Sequence, residues 1–292
     1  MAQDVALDPA RVAIVEPVRE YEVRGGGGLM LRAYEWGNPD GPEILFVHGW
    51  SQCAMCWREQ VASPLAERFR LVAFDIRGHG MSEKPLDPAA YADERLWADD
   101  LAAVLAHTRL HRPVAVAWSY GGFIVGDYLR VHGEAGLAGV ALVGGAVLLA
   151  PPSFAHIGPG FLENAGDASS ADLRVSIPAI QRFLRACSAE PLDDALWSDA
   201  LSWNTAVPAE VRGALISRDI DVTDALSNLS VPLLVSHGRA DAIVLPSMAE
   251  HVLANCDGAV ASWYDGVGHM PFVEDAERFN LELAAFVDGA AD

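Results

Sequence analysis

The sequence predicts an α/β fold, with a mostly parallel, doubly wound sheet and a helical segment inserted late in that sheet. In the first half of the chain, short apolar runs rich in β-branched residues alternate with amphipathic segments, which is the pattern of repeated β-α-β units. The alternation stops between residues 151 and 228 and then resumes. We therefore expect a core of residues 19–150 and 229–292, and a helical cap, or lid, of residues 151–228.

The elements of the core are expected in the following order. Residues 1–18 show no regular pattern and predict a loosely held arm. REYEVRGGGG and LMLRAYEWG alternate in polarity around four glycines, which predicts a hairpin. Further strands are expected in EILFVHG, RLVAFDI, PVAVAW, AGVALVGGA, VPLLVSHG and AVASWYDG. Helices are expected over residues 93–107, after Ser119, over residues 246–254 and from Asp275.

The predicted cap contains no convincing strand but several helical patterns. It is too long for a loop without secondary structure. Proline, serine or aspartate marks most of the expected starts. Helices are expected after Ser176 and over residues 193–203, 208–217 and 223–229.

Composition limits the partners and the compartment. A formal net charge of -20 and a pI near 4.7 oppose binding to phosphate backbones, so nucleic acid is not an expected partner. No apolar run approaches the roughly 20 residues that span a bilayer, so no membrane contact is expected. The N-terminus lacks a signal-peptide pattern, which predicts a cytoplasmic protein. Composition leaves the oligomeric state open.

The four cysteines do not form a disulfide framework in a chain of this length. Cys53 and Cys56 form a C-x-x-C pair, but no second pair or histidine cluster completes a metal site. We expect both to be small buried hydrophobic residues.

The turn AWSYGG gives the first chemical signal, because Ser119 lies between a valine-rich run and a new helical pattern. Ala117 and Gly121, two residues before and after the serine, are small, as the sharp strand-to-helix turn of a nucleophile elbow requires. Such a turn raises the hydroxyl above the sheet and directs the amide of Tyr120 at the same space. The alternative is an ordinary turn in which Ser119 caps the helix. This segment alone favours the two interpretations equally.

Partner residues decide between them, because a serine nucleophile needs a base and a carboxylate that holds the base. Asp241 follows the expected strand VPLLVSHG, and His269 follows AVASWYDG. Both therefore lie at carboxyl ends of strands, where parallel sheets bind their ligands. Asp265 is too close to His269 along the chain and fits a turn. The competing histidines fit other roles. His107, His132 and His251 lie in helical patterns, and His111 and His156 lie in connecting loops. His237 lies at a strand end and is expected to be a packed core residue.

Two backbone amides are expected to bind a developing oxyanion. One is the N–H of Tyr120, and the other is the N–H of Trp50 in the FVHGWSQ loop, where Gly49 leaves room for close approach. The indole of Trp50 would then line the site, or would instead pack as an ordinary buried aromatic ring. The charged residues of DIRGHGMS are expected to brace neighbouring loops.

Five motifs, HGW, DIRGHGMS, AWSYGG, HGRAD and GHMPF, occur in this order, and together they resemble the α/β-hydrolase superfamily. The resemblance is to its lidded single-domain branch of serine carboxylesterases and cofactor-free perhydrolases, and it implies the α/β-hydrolase fold. It covers nearly the whole chain after the arm. Ala117 in place of glycine is a departure that the turn tolerates sterically. Ser119 excludes the relatives with an aspartate nucleophile, the haloalkane dehalogenases and epoxide hydrolases.

The residues and the resemblance together predict acyl transfer. Ser119 attacks a carboxylic ester, His269 carries the proton, and Asp241 orients His269. This mechanism needs no metal and no organic cofactor. The expected substrate is a small to medium apolar ester. Its expected binding residues are Trp50, Trp118, Phe154, Phe183 and Trp203.

Other activities remain compatible with the same residues. Within enzymology they are a perhydrolase, a lactonase and a carbon–carbon bond hydrolase. Outside it stands a ligand-binding receptor with slow turnover, because one fold can serve several functions.

Overall fold

An eight-stranded sheet lies at the centre of the protein, in a computed structural model that describes residues 15–149 and 153–291. Its strands, with the separate pair β7 and β8, are β1 (Arg19–Arg24), β2 (Met30–Gly37), β3 (Glu43–Val47), β4 (Arg70–Asp75), β5 (Val114–Trp118), β6 (Gly139–Val143), β7 (Leu148–Leu149), β8 (Ile220–Asp221), β9 (Leu233–Gly238) and β10 (Val260–Tyr264). The spatial order is β1-β2-β4-β3-β5-β6-β9-β10. β1 and β2 form the expected hairpin, and β2 also pairs antiparallel with β4. All other neighbours in this sheet are parallel, which confirms the predicted fold class.

The strand order places the loops after four parallel strands side by side. β3, β5, β6 and β9 are consecutive neighbours and parallel, so their carboxyl ends lie at one edge of the sheet. The sequences of β5 and β6, VAVAW and GVALV, are apolar or small at every position and buried throughout, as strands covered on both faces must be. The loops that follow these four strands therefore meet above a rigid base.

Helices surround the sheet and fill the insertion. They are α1 (Arg58–Val61), α2 (Leu65–Arg68), α3 (Ala89–Ala92), α4 (Glu94–Thr108), α5 (Gly121–His132), α6 (Pro159–Leu162), α7 (Ala165–Ala168), α8 (Leu173–Ala186), α9 (Asp194–Thr205), α10 (Ala209–Ile216), α11 (Thr223–Ser227), α12 (Pro246–Asn255), α13 (Pro271–Glu274) and α14 (Ala276–Ala291). Short 3-10 helices occur at Gly26–Gly28, Ala54–Trp57 and Ser153–His156.

The insertion differs from its prediction at two places. α8 begins at Leu173, before the expected start after Ser176, because the side chain of Asp172 accepts the N–H of Arg174 at 3.0 Å and forms the N-cap. Ser176 and Pro178 both lie inside this helix rather than at its start. The short strand β8, which pairs with β7, was not expected either, since two residues carry no readable alternation.

A buried ion pair joins the end of the insertion to the core. Nη2 of Arg218 lies 2.6 Å from Oδ2 of Asp127, which belongs to α5, the helix that follows the Ser119 turn. Both side chains are almost fully buried. Removing either one would leave a buried charge without its partner, so this contact fixes the insertion relative to α5.

Three further predictions concern the N-terminal arm, the cysteines and membrane contact. Residues 1–14 of the predicted arm lie outside the described residues. Cys53 and Cys56 are buried and unpaired, as expected. Among the described helices, none has the length and apolar character needed to cross a membrane.

Candidate active site

Ser119 lies at the tip of the turn between β5 and α5, with a left-handed backbone (φ 54). A non-glycine residue rarely adopts this conformation, and it costs on the order of 1–3 kcal/mol, so the surrounding structure must enforce it. The N–H of Ser119 donates to the carbonyl of Val143 at 3.1 Å, and its carbonyl accepts the N–H of Ala146 at 3.0 Å. A Cβ at Gly121 would lie 2.5 Å from the carbonyl oxygen of Val47. The small residue at this position is therefore a steric requirement of the turn, as predicted.

The loop after β3 lies directly against the serine. A Cβ placed on Gly49 would lie 2.8 Å from the Cβ of Ser119, so only glycine fits there. The amides of Trp50 and Tyr120 border this contact. Neither amide has a hydrogen-bond acceptor within residues 15–149 and 153–291. Two unpaired donors beside a serine hydroxyl are what an oxyanion site needs.

Two buried histidines hold the loop that carries Trp50. Nε2 of His79 accepts the N–H of Ser51 at 3.0 Å, and Nε2 of His48 accepts the N–H of Ile76 at 3.1 Å. Each imidazole therefore bridges the loops after β3 and β4, in opposite directions. Burial lowers the pKa of both side chains, that of His79 well below the usual value, which keeps these acceptor nitrogens unprotonated. Ser51, held in this way, has a positive φ of 62.

His269 and Asp241 form a buried hydrogen-bonded pair at the same edge of the sheet. Nδ1 of His269 lies 2.7 Å from Oδ2 of Asp241, and both residues are at most 3% exposed. The other carboxylate oxygen accepts the amides of Ile243 at 2.8 Å and Val244 at 3.0 Å. The structure thus brings together the two residues that the sequence selected as base and acid.

Burial alone would raise the pKa of Asp241. The neighbouring imidazole of His269 and hydrogen bonds from His237 and His269 act in the opposite direction and lower it to about 2. Asp241 is therefore a carboxylate at any neutral pH, able to accept the Nδ1–H of His269. The outward-facing nitrogen of His269, Nε2, is buried and has no hydrogen-bond partner among the described residues.

The hydrogen bond from Ser119 to His269 is thus not formed in the structure. Such contacts are often long before substrate binds and shorten in the complex, so the geometry remains that of a candidate site. The end of β6 and the loop that follows it contact both Ser119 and His269. Val143 binds the Ser119 amide, and a Cβ on the adjacent Gly144 would lie 2.9 Å from Nδ1 of His269.

Glu274 holds the His269 loop, and the sequence analysis did not identify it. Its carboxylate accepts the amides of Gly268 at 3.1 Å and Met270 at 3.2 Å, on either side of the histidine. It also accepts the amide of Ala189, in the insertion, at 2.7 Å. The carboxylate five residues after His269, in GHMPFVE, was the available signal.

A small cavity of about 30 Å³ lies beside Ser119. Ser119 is partly accessible, although the residues on either side of it are buried. The wall is largely apolar and consists of Trp50, Ser119, Tyr120, Phe123, Ala146, Leu149, Ile157, Phe161, Ile243 and Val244.

Of the five expected substrate-binding residues, Trp50 belongs to this wall. Phe183 lies behind it, with ring centroids 5.0 Å apart. Phe154 is 45% exposed, and the indole of Trp203 donates to Oε1 of Gln52 at 2.7 Å. Trp118 is 1% exposed and faces the core. These four residues do not line this cavity, and their role in substrate binding stays a prediction.

Phe161, an aromatic residue of the insertion, also belongs to this wall. It contacts the indole of Trp50 edge to face at 5.3 Å and belongs to α6, a single turn without readable periodicity.

A model of the alpha/beta hydrolase family matches residues 44–282, which is most of the chain. The chain belongs to this family. A solved structure of a putative aryl esterase from Burkholderia cenocepacia is 33% identical, with a TM-score of 0.89, and the alignment covers 94% of this chain and 99% of that one. The esterase RhEst1 from Rhodococcus sp. ECU1013 is 34% identical, with a TM-score of 0.87 and coverages of 92% and 98%. The bifunctional esterase/perhydrolase DCH of Acinetobacter calcoaceticus is 29% identical over 272 residues, covering 89% of this chain and 96% of its own.

The competing residues of this α/β-hydrolase have other surroundings. The side chain of Asp265 is 90% exposed and pairs with Arg239 at 3.0 Å, away from His269. Nε2 of His237 lies 2.9 Å from the carbonyl of Val244, so His237 is the packed histidine that was expected. Within the described part of the chain, no group of three or more His, Cys, Asp or Glu side chains is placed to hold a metal ion.

Proposed function

We propose that this α/β-hydrolase is a serine hydrolase that cleaves carboxylic esters of small apolar acyl groups. The observation that carries the proposal is the 2.7 Å pair of His269 and Asp241 at the sheet edge where Ser119 occupies a left-handed elbow. A base held by an ionised carboxylate, opposite a serine in this turn, is the arrangement that activates a hydroxyl.

The first half-reaction forms an acyl-enzyme. Ser119 attacks the carbonyl carbon while Nε2 of His269 takes its proton. The carboxylate of Asp241 keeps the Nδ1–H tautomer in place and stabilises the imidazolium that forms. The amides of Trp50 and Tyr120 bind the oxyanion. Because neither has an acceptor among the described residues, no hydrogen bond to that part of the chain has to break.

The second half-reaction releases the acid. The alcohol has already left at the end of the first half-reaction, when the imidazolium of His269 gave it the proton taken from Ser119. Neutral His269 now takes a proton from a water molecule, which attacks the acyl-enzyme, and returns that proton to Ser119 as the acid departs. The same amides bind the second oxyanion. Neither half-reaction requires a metal or an organic cofactor.

The cavity wall supports the choice of substrate. Apart from Ser119 and the Tyr120 hydroxyl, its side chains are hydrocarbon or aromatic, so a charged group would lose hydration without gaining a partner. The small volume favours a short acyl chain. Residues 151–228 act as the lid in this proposal, since Ile157 and Phe161 form one side of the wall.

The relatives support ester hydrolysis, because two solved structures at 33% and 34% identity carry esterase names. The bifunctional relative supports a second candidate, a perhydrolase activity in which hydrogen peroxide replaces water in the second half-reaction. The product would then be a peracid.

A series of p-nitrophenyl esters tests the proposal. We expect turnover of the acetate ester that falls as the acyl chain lengthens and is lost in Ser119→Ala and His269→Ala. Adding hydrogen peroxide and measuring peracid separates the second candidate from simple hydrolysis. Full activity in Ser119→Ala would refute the proposed mechanism, and tight ligand binding with negligible turnover would indicate a receptor.

A further inference from the structure

Trp118 connects the nucleophile turn to the base loop through one hydrogen bond. It is the last residue of β5 and directly precedes Ser119. Its indole Nε1–H donates to the backbone carbonyl of His269 at 2.9 Å, and both residues are 1% exposed. The two residues are 151 positions apart in the chain. The side chain adjacent to the nucleophile therefore holds the backbone of the base.

The remaining backbone contacts of this loop lead elsewhere. The N–H of His269 donates to the carbonyl of Cys187, in the insertion, at 2.9 Å. The flanking amides of Gly268 and Met270 donate to Glu274 in α13. Among these contacts, the hydrogen bond from Trp118 is the one that ties the backbone of His269 to β5, the strand that precedes Ser119.

The position of the base matters because Nε2 of His269 must reach the hydroxyl of Ser119. Asp241 fixes the imidazole at Nδ1, and the backbone fixes the other end of the side chain. The rings of Trp118 and His269 also lie in contact, with centroids 5.5 Å apart. Two anchors of this kind define where Nε2 points, whereas one anchor leaves the imidazole free to swing about Asp241.

We propose that Trp118 is a positioning residue that sets the reach of His269 toward Ser119 through the hydrogen bond to the His269 carbonyl. The proposal rests on the proposed function, in which His269 is the base. It gives Trp118 a role different from that of a packed aromatic residue and from that of a substrate wall.

Trp57 provides a matched control from the same aromatic cluster. It is fully buried, its ring centroid lies 6.4 Å from that of Trp118, and both rings contact Phe272. Its indole nitrogen, however, has no hydrogen-bond partner in the described part of the chain. Trp57→Phe therefore removes the same atoms as Trp118→Phe but no hydrogen bond to His269.

The test compares the two variants on p-nitrophenyl acetate. Trp118→Phe should lower kcat by about 10- to 100-fold with little change in KM, since small misplacements of reacting groups have effects of this size. Trp57→Phe should keep kcat near that of the parent at a comparable loss of melting temperature. In addition, the ¹H NMR signal of the proton between His269 and Asp241 should shift or broaden only in Trp118→Phe.

If Trp118→Phe does not fold, 3-benzothienylalanine at position 118 decides the question, because sulfur replaces the N–H within the same ring shape. A loss of kcat in this variant supports the proposal. Equal kcat values in the variants at positions 118 and 57 overturn it. His269→Ala distinguishes the two levels: if it retains activity, the proposed function itself fails, whereas an inactive His269→Ala beside a fully active Trp118→Phe refutes only the role of Trp118.

Discussion

Asp241 binds His269 with one carboxylate oxygen, 2.7 Å from Nδ1, and uses the other to accept two backbone amides of its own loop. The carboxylate is therefore oriented by the backbone before it orients the imidazole. Because burial would otherwise favour the neutral acid, the charge of this carboxylate depends on His269 and His237, which lower its pKa. Its role in the proposed mechanism can be tested without altering its shape.

Asp241→Asn should lower kcat by about 10⁴-fold, because an amide can donate to Nδ1 and so stabilise the wrong tautomer of His269. Steady-state kinetics on p-nitrophenyl acetate measures the loss. Asp265→Asn is the matched control, since Asp265 is exposed and pairs with Arg239. A large loss in the control, with an active Asp241→Asn, would show that Asp241 is not the acid and that Asp265 is.

The pH profile of kcat/KM should show a single ascending limb between about pH 5 and 8, the range in which histidine side chains change charge. Only a neutral imidazole accepts the serine proton. The pKa of Asp241, lowered to about 2, lies below this range, so its titration adds no second limb. A rate that falls as pH rises through this range would contradict a base mechanism.

The same pKa predicts the direction of an effect on folding. The folded-state pKa of Asp241 lies below the usual aspartate value of about 3.9. Its contribution to the free energy of unfolding is therefore present at neutral pH and is lost as pH falls through about 2. Denaturant titrations at decreasing pH should show a smaller acid-induced loss of stability in Asp241→Asn than in the parent.

Gly49→Ala should reduce kcat by about 100-fold, because its Cβ would lie 2.8 Å from the Cβ of Ser119 and would push the loop of Trp50 away from the nucleophile. Gly166→Ala is the control, since a Cβ there meets no atom within 4 Å. Kinetics with a short acetate ester measures both. Unchanged activity in Gly49→Ala would show that the two loops are not held as closely as the structure has them.

Phe161→Ala should shift the preference toward longer acyl chains, because Phe161 belongs to the cavity wall and its removal enlarges the space beside Ser119. Contacts with atoms remote from the carbonyl affect selectivity more than the reaction of a small ester. Phe154→Ala, at a position that is 45% exposed, should leave the preference unchanged. An equal loss for every ester in Phe161→Ala would give that residue a structural role alone.

The sequence predicted the sheet and the Ser119, Asp241 and His269 set because each depends on local patterns. Buried parallel strands read as continuous apolar runs, and Ser119 directly follows one of them, β5. Asp241 and His269 lie in the loops after β9 and β10, at the carboxyl ends of parallel strands. Side-chain direction could not be predicted in the same way. Trp118 lies beside Ser119 in the chain, yet its indole binds the carbonyl of His269, a contact that only the assembled sheet creates.

The cap was the least predictable region, since single-turn helices have too few residues for a 3.6-residue period. α6 and α7 have four residues each, and α6 supplies Phe161 to the cavity wall. Glu274 was missed for a related reason. A glutamate in a short helix resembles any solvated charge, and one of its three amide partners, Ala189, comes from a distant segment.

The most direct test of the account is the covalent state of Ser119 during turnover. Rapid acid quenching with p-nitrophenyl acetate, followed by peptide mass spectrometry, should locate one acetyl group on the peptide that contains Ser119. Its formation should coincide with the burst of p-nitrophenol and should be absent in His269→Ala. Acetyl on another residue, or a burst that persists in Ser119→Ala, would contradict the central claim that Ser119 is the nucleophile.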